Sequence, residues 1–270
     1  MFRFVCAIVF GVIATPLVAQ DRIPSHCIAL SHAAGGKYLH RAAVTAPLPD
    51  AQTVRIRYLD HAMFLIEAGN TSVATDFTGY LGPTTFLPDV VTMNHAHSSH
   101  WTAMVPEGIA HVLPGWGAEF GAGVDYHLDL GDMVVRNVST DIRSMGGVEK
   151  NGNSIFIFEV GGLCIGHLGH LHHEPSAEQY AAIGRLDVVL APVDGGMTVP
   201  IDTMISILQR LKSSIVIPMH WFGRANLQDS LVGMSNDFQV VRLEGNMLEV
   251  GLHKLPGRPT VMVLEPAYLQ

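Results

Sequence analysis

Met93–Thr102 reads MNHAHSSHWT. Three histidines, His95, His97 and His100, fall within six residues, and the residues between them are small and uncharged. An apolar run, Val90–Met93, leads into them. This predicts a buried strand that ends in a histidine loop. Neutral imidazole is the commonest protein metal donor, so a His-x-His-x-x-His loop points to metal binding. The same arrangement recurs twice. The apolar run ending near Cys164 opens into GHLGHLHHEPS, with His167, His170, His172 and His173, and VIPMHW ends another run at His220. Loops at strand ends are where ligands converge.

Around these loops the pattern is strand-rich. TVRIRYLDHAMFLIEAG breaks at Asp60-His61 into two short apolar or alternating runs, and TSVATDF follows a Gly-Asn turn, which gives three tightly joined strands. GIAHVLPG, MVVRNVSTDIR and NSIFIFEVGGLCIGHLGH predict further strands, the last a pair around Gly161-Gly162. SAEQYAAIG predicts a helix capped by Ser176 and stopped by Gly184. VPIDTMISILQRLK predicts a second, with Pro200 near its first turn. The strands DVVLAPV and SIVIPMHW flank that second helix, so the class is layered α/β.

The chain has 270 residues, 48% apolar, with a formal charge of −8 and no basic run. That balance supplies a sizeable core and argues against nucleic acid as a partner. At the start, one Arg precedes the apolar run Phe4–Ala14, and small residues follow at Val18-Ala19. Residues 1–19 therefore predict a secretory signal, cut after Ala19 or Gln20, with no stable membrane anchor left behind. Residues 20–50 read as an extended lead-in and 51–270 as one domain. The mature chain is expected in a periplasm or secreted. Cys6 leaves with the signal, while Cys27 and Cys164 remain, either paired or as buried thiols.

With these segments in view, the chain resembles the metallo-β-lactamase superfamily, and within it the branch that includes the ascorbate-6-phosphate lactonases. YLDHAMFLIEAGNTSVATDF resembles that branch's opening hairpin, and NHAHSSHW resembles its H-x-H-x-D-H loop. CIGHLGHLHHEPSAEQYAAIGRLDVVLAPVDGG is similar to its HLGDLGH strand with the helix and strand that follow, and VIPMHW to its last ligand strand. The resemblance implies an αββα sandwich with a metal site along one edge of its two sheets. It places His95, His97, His100, His170 and His220 at ligand positions. It also implies a hydrolase of a small ester, lactone, amide or phosphoester that uses a metal-bound hydroxide. The substrate is expected to be a small molecule. A lyase, an Fe- or Mn-dependent oxidative enzyme and a non-catalytic binding protein are the alternatives.

Three departures stand out. Ser99 occupies the Asp position of H-x-H-x-D-H, and His170 occupies that of the bridging Asp in HLGD. A further ligand histidine is replaced near Arg143 or Ser144. A neutral imidazole has one lone pair and cannot screen two adjacent cations as a carboxylate does. One ion is therefore expected, shared by His95, His97, His170 and His220. Zinc is the default, with iron and manganese as alternatives. Five imidazoles exceed what a tetrahedral ion needs, so one serves another role. His100 is assigned proton handling. Asp60 and Asp76 read as orienters of ligand histidines or as turn residues, and Asp194 likewise. His167 is core or ligand, and His172-His173 ligand or solvated loop. Trp101 and Trp221 read as pocket walls or packing, and Arg143 as an anion site for substrate or a surface charge.

Overall fold

The computed structural model describes residues 25–28 and 48–270. The expected signal peptide and most of the lead-in lie outside the described residues. Strands β1 (Val54–Asp60), β2 (Met63–Ala68), β3 (Thr71–Ala74), β4 (Val90–Met93) and β5 (His111–Pro114) come first. β6 (His127–Asp129), β7 (Met133–Ser144), β8 (Gly147–Val160) and β9 (Leu163–His167) follow. Then helices alternate with strands: α1 (Ala177–Ile183), β10 (Val188–Pro192), α2 (Ile201–Leu211), β11 (Ile215–Met219) and α3 (Arg224–Met234). β12 (Gln239–Arg242), β13 (Met247–Val250) and β14 (Thr260–Val263) complete the described chain.

These strands build a six-stranded sheet, β13-β1-β2-β3-β4-β5, and an eight-stranded sheet, β12-β14-β11-β10-β9-β8-β7-β6. Alternation along β1 and β2 sends Ile56, Phe64 and Ile66 into the space between the sheets, where they meet Val135, Phe156, Phe158 and Ile165. The central strands β9, β10 and β11 are parallel and buried on both faces. Their outer face takes the apolar residues of all three helices, among them Ile183, Met204, Ile207 and Leu231. The outer face of the six-stranded sheet is covered instead by irregular segments that carry Phe77, Leu81, Trp101 and Trp116. Two face-packed sheets with a helical layer outside are the layering expected above; where the αββα expectation has a second helical layer, the described residues place these irregular segments.

Helix α1 has the capping box implied by its sequence. Ser176 Oγ accepts from Gln179 N, and the Gln179 side chain accepts from Ser176 N. Helix α2 starts after Pro200 and ends at Lys212, in the left-handed region. Cys27 and Cys164 form a disulfide across 137 residues, which fixes Ser25–Ile28 to β9. Among the described residues, no helix is long and apolar enough to cross a membrane.

The sheets are joined where β4 ends. Ser154 N, on β8, donates to Asn94 O at 3.0 Å, and His95 bridges to Asn153. The first histidine loop of one sheet is thus pinned against the other sheet. The ends of β3, β4, β9, β10 and β11 open onto this same edge.

Candidate metal centre

Each polar group of the site lies a few residues past a strand end. Asp76 follows β3, His95 to His100 follow β4, His170 follows β9, Asp194 follows β10 and His220 follows β11. The sixth contributor is His61, in the tight turn between β1 and β2. A register irregularity between Tyr58 and Asp60 precedes it, the kind of bulge that re-aims a side chain. Three of these residues hold positive φ without being glycine: His61 at 39°, Asp76 at 47° and His220 at 58°. Such conformations persist only where surrounding contacts impose them, and they concentrate at functional sites.

Two buried carboxylates set the imidazoles. His100 Nδ1 donates to Asp76 Oδ2 at 2.6 Å, and His220 Nδ1 donates to Asp194 Oδ2 at 2.9 Å. Asp194 also accepts from the backbone N–H groups of Gly196, Met197 and Thr198, and from Thr198 Oγ1. Burial opposes ionisation of both acids. The hydrogen bonds and charge at His100 nevertheless hold Asp76 below the usual carboxylate range, and the His220 and Thr198 bonds hold Asp194 well below it.

With both Nδ1 protons committed, each neutral ring presents a bare lone pair at Nε2. Those two atoms lie 3.2 Å apart, and His170 Nδ1 lies 3.2 Å from the same His220 Nε2. Facing lone pairs repel unless a proton or a cation lies between them. Ligand atoms of His61, His100 and His220 all fall within 4.8 Å of one another. The His61 Nε2 atom is buried and has no hydrogen-bond partner among the described residues. For bonds of ~2.0–2.1 Å to zinc, tetrahedral nitrogens sit roughly 3.3 Å apart, so the His100–His220 spacing suits such an ion. The residues present fit a divalent metal.

A second layer of rings surrounds this trio. His170 is 4.6 Å from His100 and 5.0 Å from His220, centroid to centroid, and 5.4 Å from His95. His95 Nδ1 donates to Gly152 O at 2.7 Å. His97 is exposed, 6.2 Å from both His95 and His100, and its Nδ1 contacts Ser99 Oγ at 2.9 Å. All five histidines expected at ligand positions are therefore in one cluster, yet the tightest group is His61, His100 and His220. His172 Nδ1 accepts the Arg143 N–H at 2.8 Å, so its lone pair is already used. His167 is core: it is fully buried, donates from Nε2 to Ala62 O at 2.7 Å, and accepts at Nδ1 from Asn94 and Gly169.

Other expectations need correction. His100, assigned proton handling from sequence, has Nδ1 held by Asp76 and Nε2 facing His220 at 3.2 Å, which places it among the ligand atoms. Asp60 orients no histidine; it accepts from Tyr268 OH at 2.5 Å and lines a cleft with His61, Met63, Thr78, Ser98 and Ser99. The Arg143 guanidinium donates through Nη2 to the carbonyls of Gly196, Met197 and Thr198, which makes it a clamp on the Asp194 loop. Trp101 packs edge-on against Trp116, and Trp221 packs against the two cores beside the eight-stranded sheet. The aromatic that faces the histidines is Phe222, 5.1 Å from His61 and 5.3 Å from His220. His61 and Phe222 each adjoin a residue singled out from sequence, and that adjacency was the available signal.

Four of the imidazoles, His61, His95, His170 and His172, are biased toward the neutral form, the form that binds metal. Burial, then the neighbouring His220 and His100, lower His61 to about 4; burial and Arg143 lower His172 to about 4. Burial likewise lowers His95, and burial with the His100 and His220 rings lowers His170 strongly. Between pH 6.5 and about 4, the unfolded chain therefore binds protons that the native chain refuses. Stability of the chelator-treated protein should rise with pH across that window and fall on acidification. Melting temperatures taken through the window check this; a flat profile would contradict it.

Residues 55–220 match the model of a beta-lactamase superfamily domain. A metal-dependent hydrolase of Nanoarchaeum equitans is 26% identical over 184 residues, covering 62% of this chain and 84% of that one. The structure of a metallo-β-lactamase superfamily protein from Thermotoga maritima has a TM-score of 0.57 at 24% identity, covering 79% of this chain and 99% of that one. A metallo hydrolase structure from Ignicoccus hospitalis has a TM-score of 0.53 at 19% identity, covering 80% and 96%. Both structures share the fold.

Proposed function

The chain belongs to the beta-lactamase superfamily, and from that premise we propose that it is a metal-dependent hydrolase of a small ester, lactone, amide or phosphoester. The observation that carries this reading is the pair of Nε2 atoms 3.2 Å apart, each on a ring fixed by a buried carboxylate, beside an open cleft. The hydrolase relative from Nanoarchaeum equitans supports it.

His61, His100 and His220 would hold the ion, with His170 beside them. When bound, a divalent ion polarises the scissile bond and lowers the pKa of a coordinated water. Asp76 and Asp194 keep two rings in the tautomer and orientation that present Nε2. Asp60 is the carboxylate on the cleft. It offers an acceptor for a proton released there, and Tyr268 fixes its orientation.

We also propose a single tightly held ion, with zinc as the default. Ser99 and His170 leave no carboxylate to bridge two cations. Export to an oxidising compartment is supported by the sequence of residues 1–19 and by the Cys27–Cys164 disulfide.

Protein reconstituted with zinc should hydrolyse members of a panel of p-nitrophenyl esters, lactones, anilides and bis(p-nitrophenyl) phosphate, and lose that activity on chelation. After dialysis it should retain about one ion per chain, and the double variant Ser99→Asp with His170→Asp should move toward two. Tight metal binding without turnover anywhere on the panel would overturn the hydrolase reading. Two tightly held ions in the unmodified protein would overturn the single-ion reading.

A further inference from the structure

The cleft beside the histidines is lined by Asp60, His61, Met63, Thr78, Ser98 and Ser99, with no lysine or arginine among them. The arginine expected to bind a substrate anion, Arg143, spends Nη2 on three carbonyls of the Asp194 loop. Arg224, which follows the Phe222-Gly223 pair, is directed to Glu265 at 3.4 Å. The one formal charge among the lining side chains, apart from the imidazoles, is the Asp60 carboxylate. A phosphoryl or carboxylate group bound beside it would meet repulsion from Asp60 and find no cationic side chain in the lining to pair its remaining oxygens, which leaves the bound ion as its one positive partner there.

Aromatic side chains adjoin two of the lining residues, Phe222 at His61 and Tyr268 at Asp60. Phe222 is 61% exposed, yet its ring lies against both His61 and His220. Tyr268, bonded to Asp60, packs edge-on with Tyr80 at 5.1 Å, and Tyr80 is 53% exposed. An exposed phenyl ring beside polar imidazoles gains nothing from water, but it can cover an apolar group brought to the same place.

Resting on the hydrolase reading, we infer that the site selects an uncharged carboxylic ester, lactone or amide whose apolar group lies on Phe222, and that it discriminates against phosphoesters. For an ester, the oxygen of water bonds to the acyl carbon as the acyl C–O bond breaks. One proton of that water goes to the leaving alkoxide, giving an acid and an alcohol with no further reactant.

The test uses zinc-loaded protein and p-nitrophenyl acetate, p-nitrophenyl octanoate and bis(p-nitrophenyl) phosphate. The octanoate should have the highest kcat/KM and the phosphodiester the lowest. In Phe222→Ala the octanoate-to-acetate ratio should fall by roughly tenfold, whereas the exposed Val232→Ala on α3 should leave it unmoved. A second readout needs no turnover: calorimetric binding of 4-phenyl-2-butanone, an uncharged carbonyl compound that cannot be hydrolysed, should weaken in Phe222→Ala. Faster phosphodiester cleavage, or a ratio indifferent to Phe222, overturns the inference. If nothing is hydrolysed while ketone binding still depends on Phe222, apolar recognition is supported and it is the hydrolase reading that fails.

Discussion

Replacing His61 with alanine is expected to release the metal, weakening binding by more than the roughly 10–100-fold that loss of an outer hydrogen-bond partner costs. The ring sits 4.0 Å from His220, centroid to centroid, and its buried Nε2 has no hydrogen-bond partner among the described residues. Ser99, at the position where the resembled loop has Asp, lines the same cleft as His61. His100→Ala and His220→Ala should behave like His61→Ala. Asp76→Asn, which removes the charged acceptor of His100 Nδ1–H while an amide oxygen can still accept from Asn94 N, should stay within the roughly 10–100-fold range. His97→Ala should cost least, because that ring is exposed and 6.2–6.4 Å from its ring neighbours. Elemental analysis after dialysis, and the visible spectrum of the cobalt-substituted protein, give the order directly. If His61→Ala keeps its ion and spectrum while His95→Ala or His97→Ala loses them, the ion belongs to the outer rings and the assignment is wrong.

That order differs from the one the sequence suggested, and the difference is local. The three histidine loops were legible because each follows an apolar run: β4 was read to the residue and β11 nearly so, whereas the run read as ending near Cys164 continues as β9 to His167. His61 was not legible, because its direction is decided by an irregularity of one position at Tyr58–Asp60. Along a strand, a shift of one residue sends a side chain to the opposite face. Asp60, read as an orienter of a ligand histidine or a turn residue, lines the cleft, and it is His61 beside it that joins His100 and His220. Past the end of β11, Trp221 packs inward and Phe222 faces the site. Arg143 needed the position of the Asp194 loop, which no local pattern contains. Beyond Trp221 the sequence offered little: β12, β13 and β14 are four residues each, and α3 buries Ser230 while exposing Val232, so its apolar residues do not form one clean face. The outer layer over the six-stranded sheet has no periodicity to read, being built of loops.

Gly169→Ala should damage the site while leaving every histidine in place, with an expected loss of roughly 3–5 kcal/mol of stability. Gly169 has φ +62°, and a Cβ there would lie 2.5 Å from both Asn153 Oδ1 and Asn94 Nδ2. Both asparagines are fully buried and cannot simply turn aside. Asn94 Nδ2 donates to Ser154 O at 2.7 Å and contacts His167 Nδ1 at 3.1 Å, while Asn153 Oδ1 accepts from His170 N at 2.8 Å. His167 in turn reaches Ala62 O, next to His61. This platform therefore ties together the turn carrying His61, the loop starting at His95 and the loop carrying His170. Gly131 supplies the control: φ is +83°, and nothing lies within 4 Å of its added Cβ. Gly131→Ala should cost only the left-handed conformation, about 1–2 kcal/mol. The excess loss in Gly169→Ala then measures the buried platform, since forcing the asparagines off their partners leaves polar groups unsatisfied at ~1–3 kcal/mol each. Urea unfolding of the two variants gives both numbers, and metal affinity should fall in Gly169→Ala alone. Equal destabilisation of the two, with metal binding intact in both, would mean that the platform does not position the histidines.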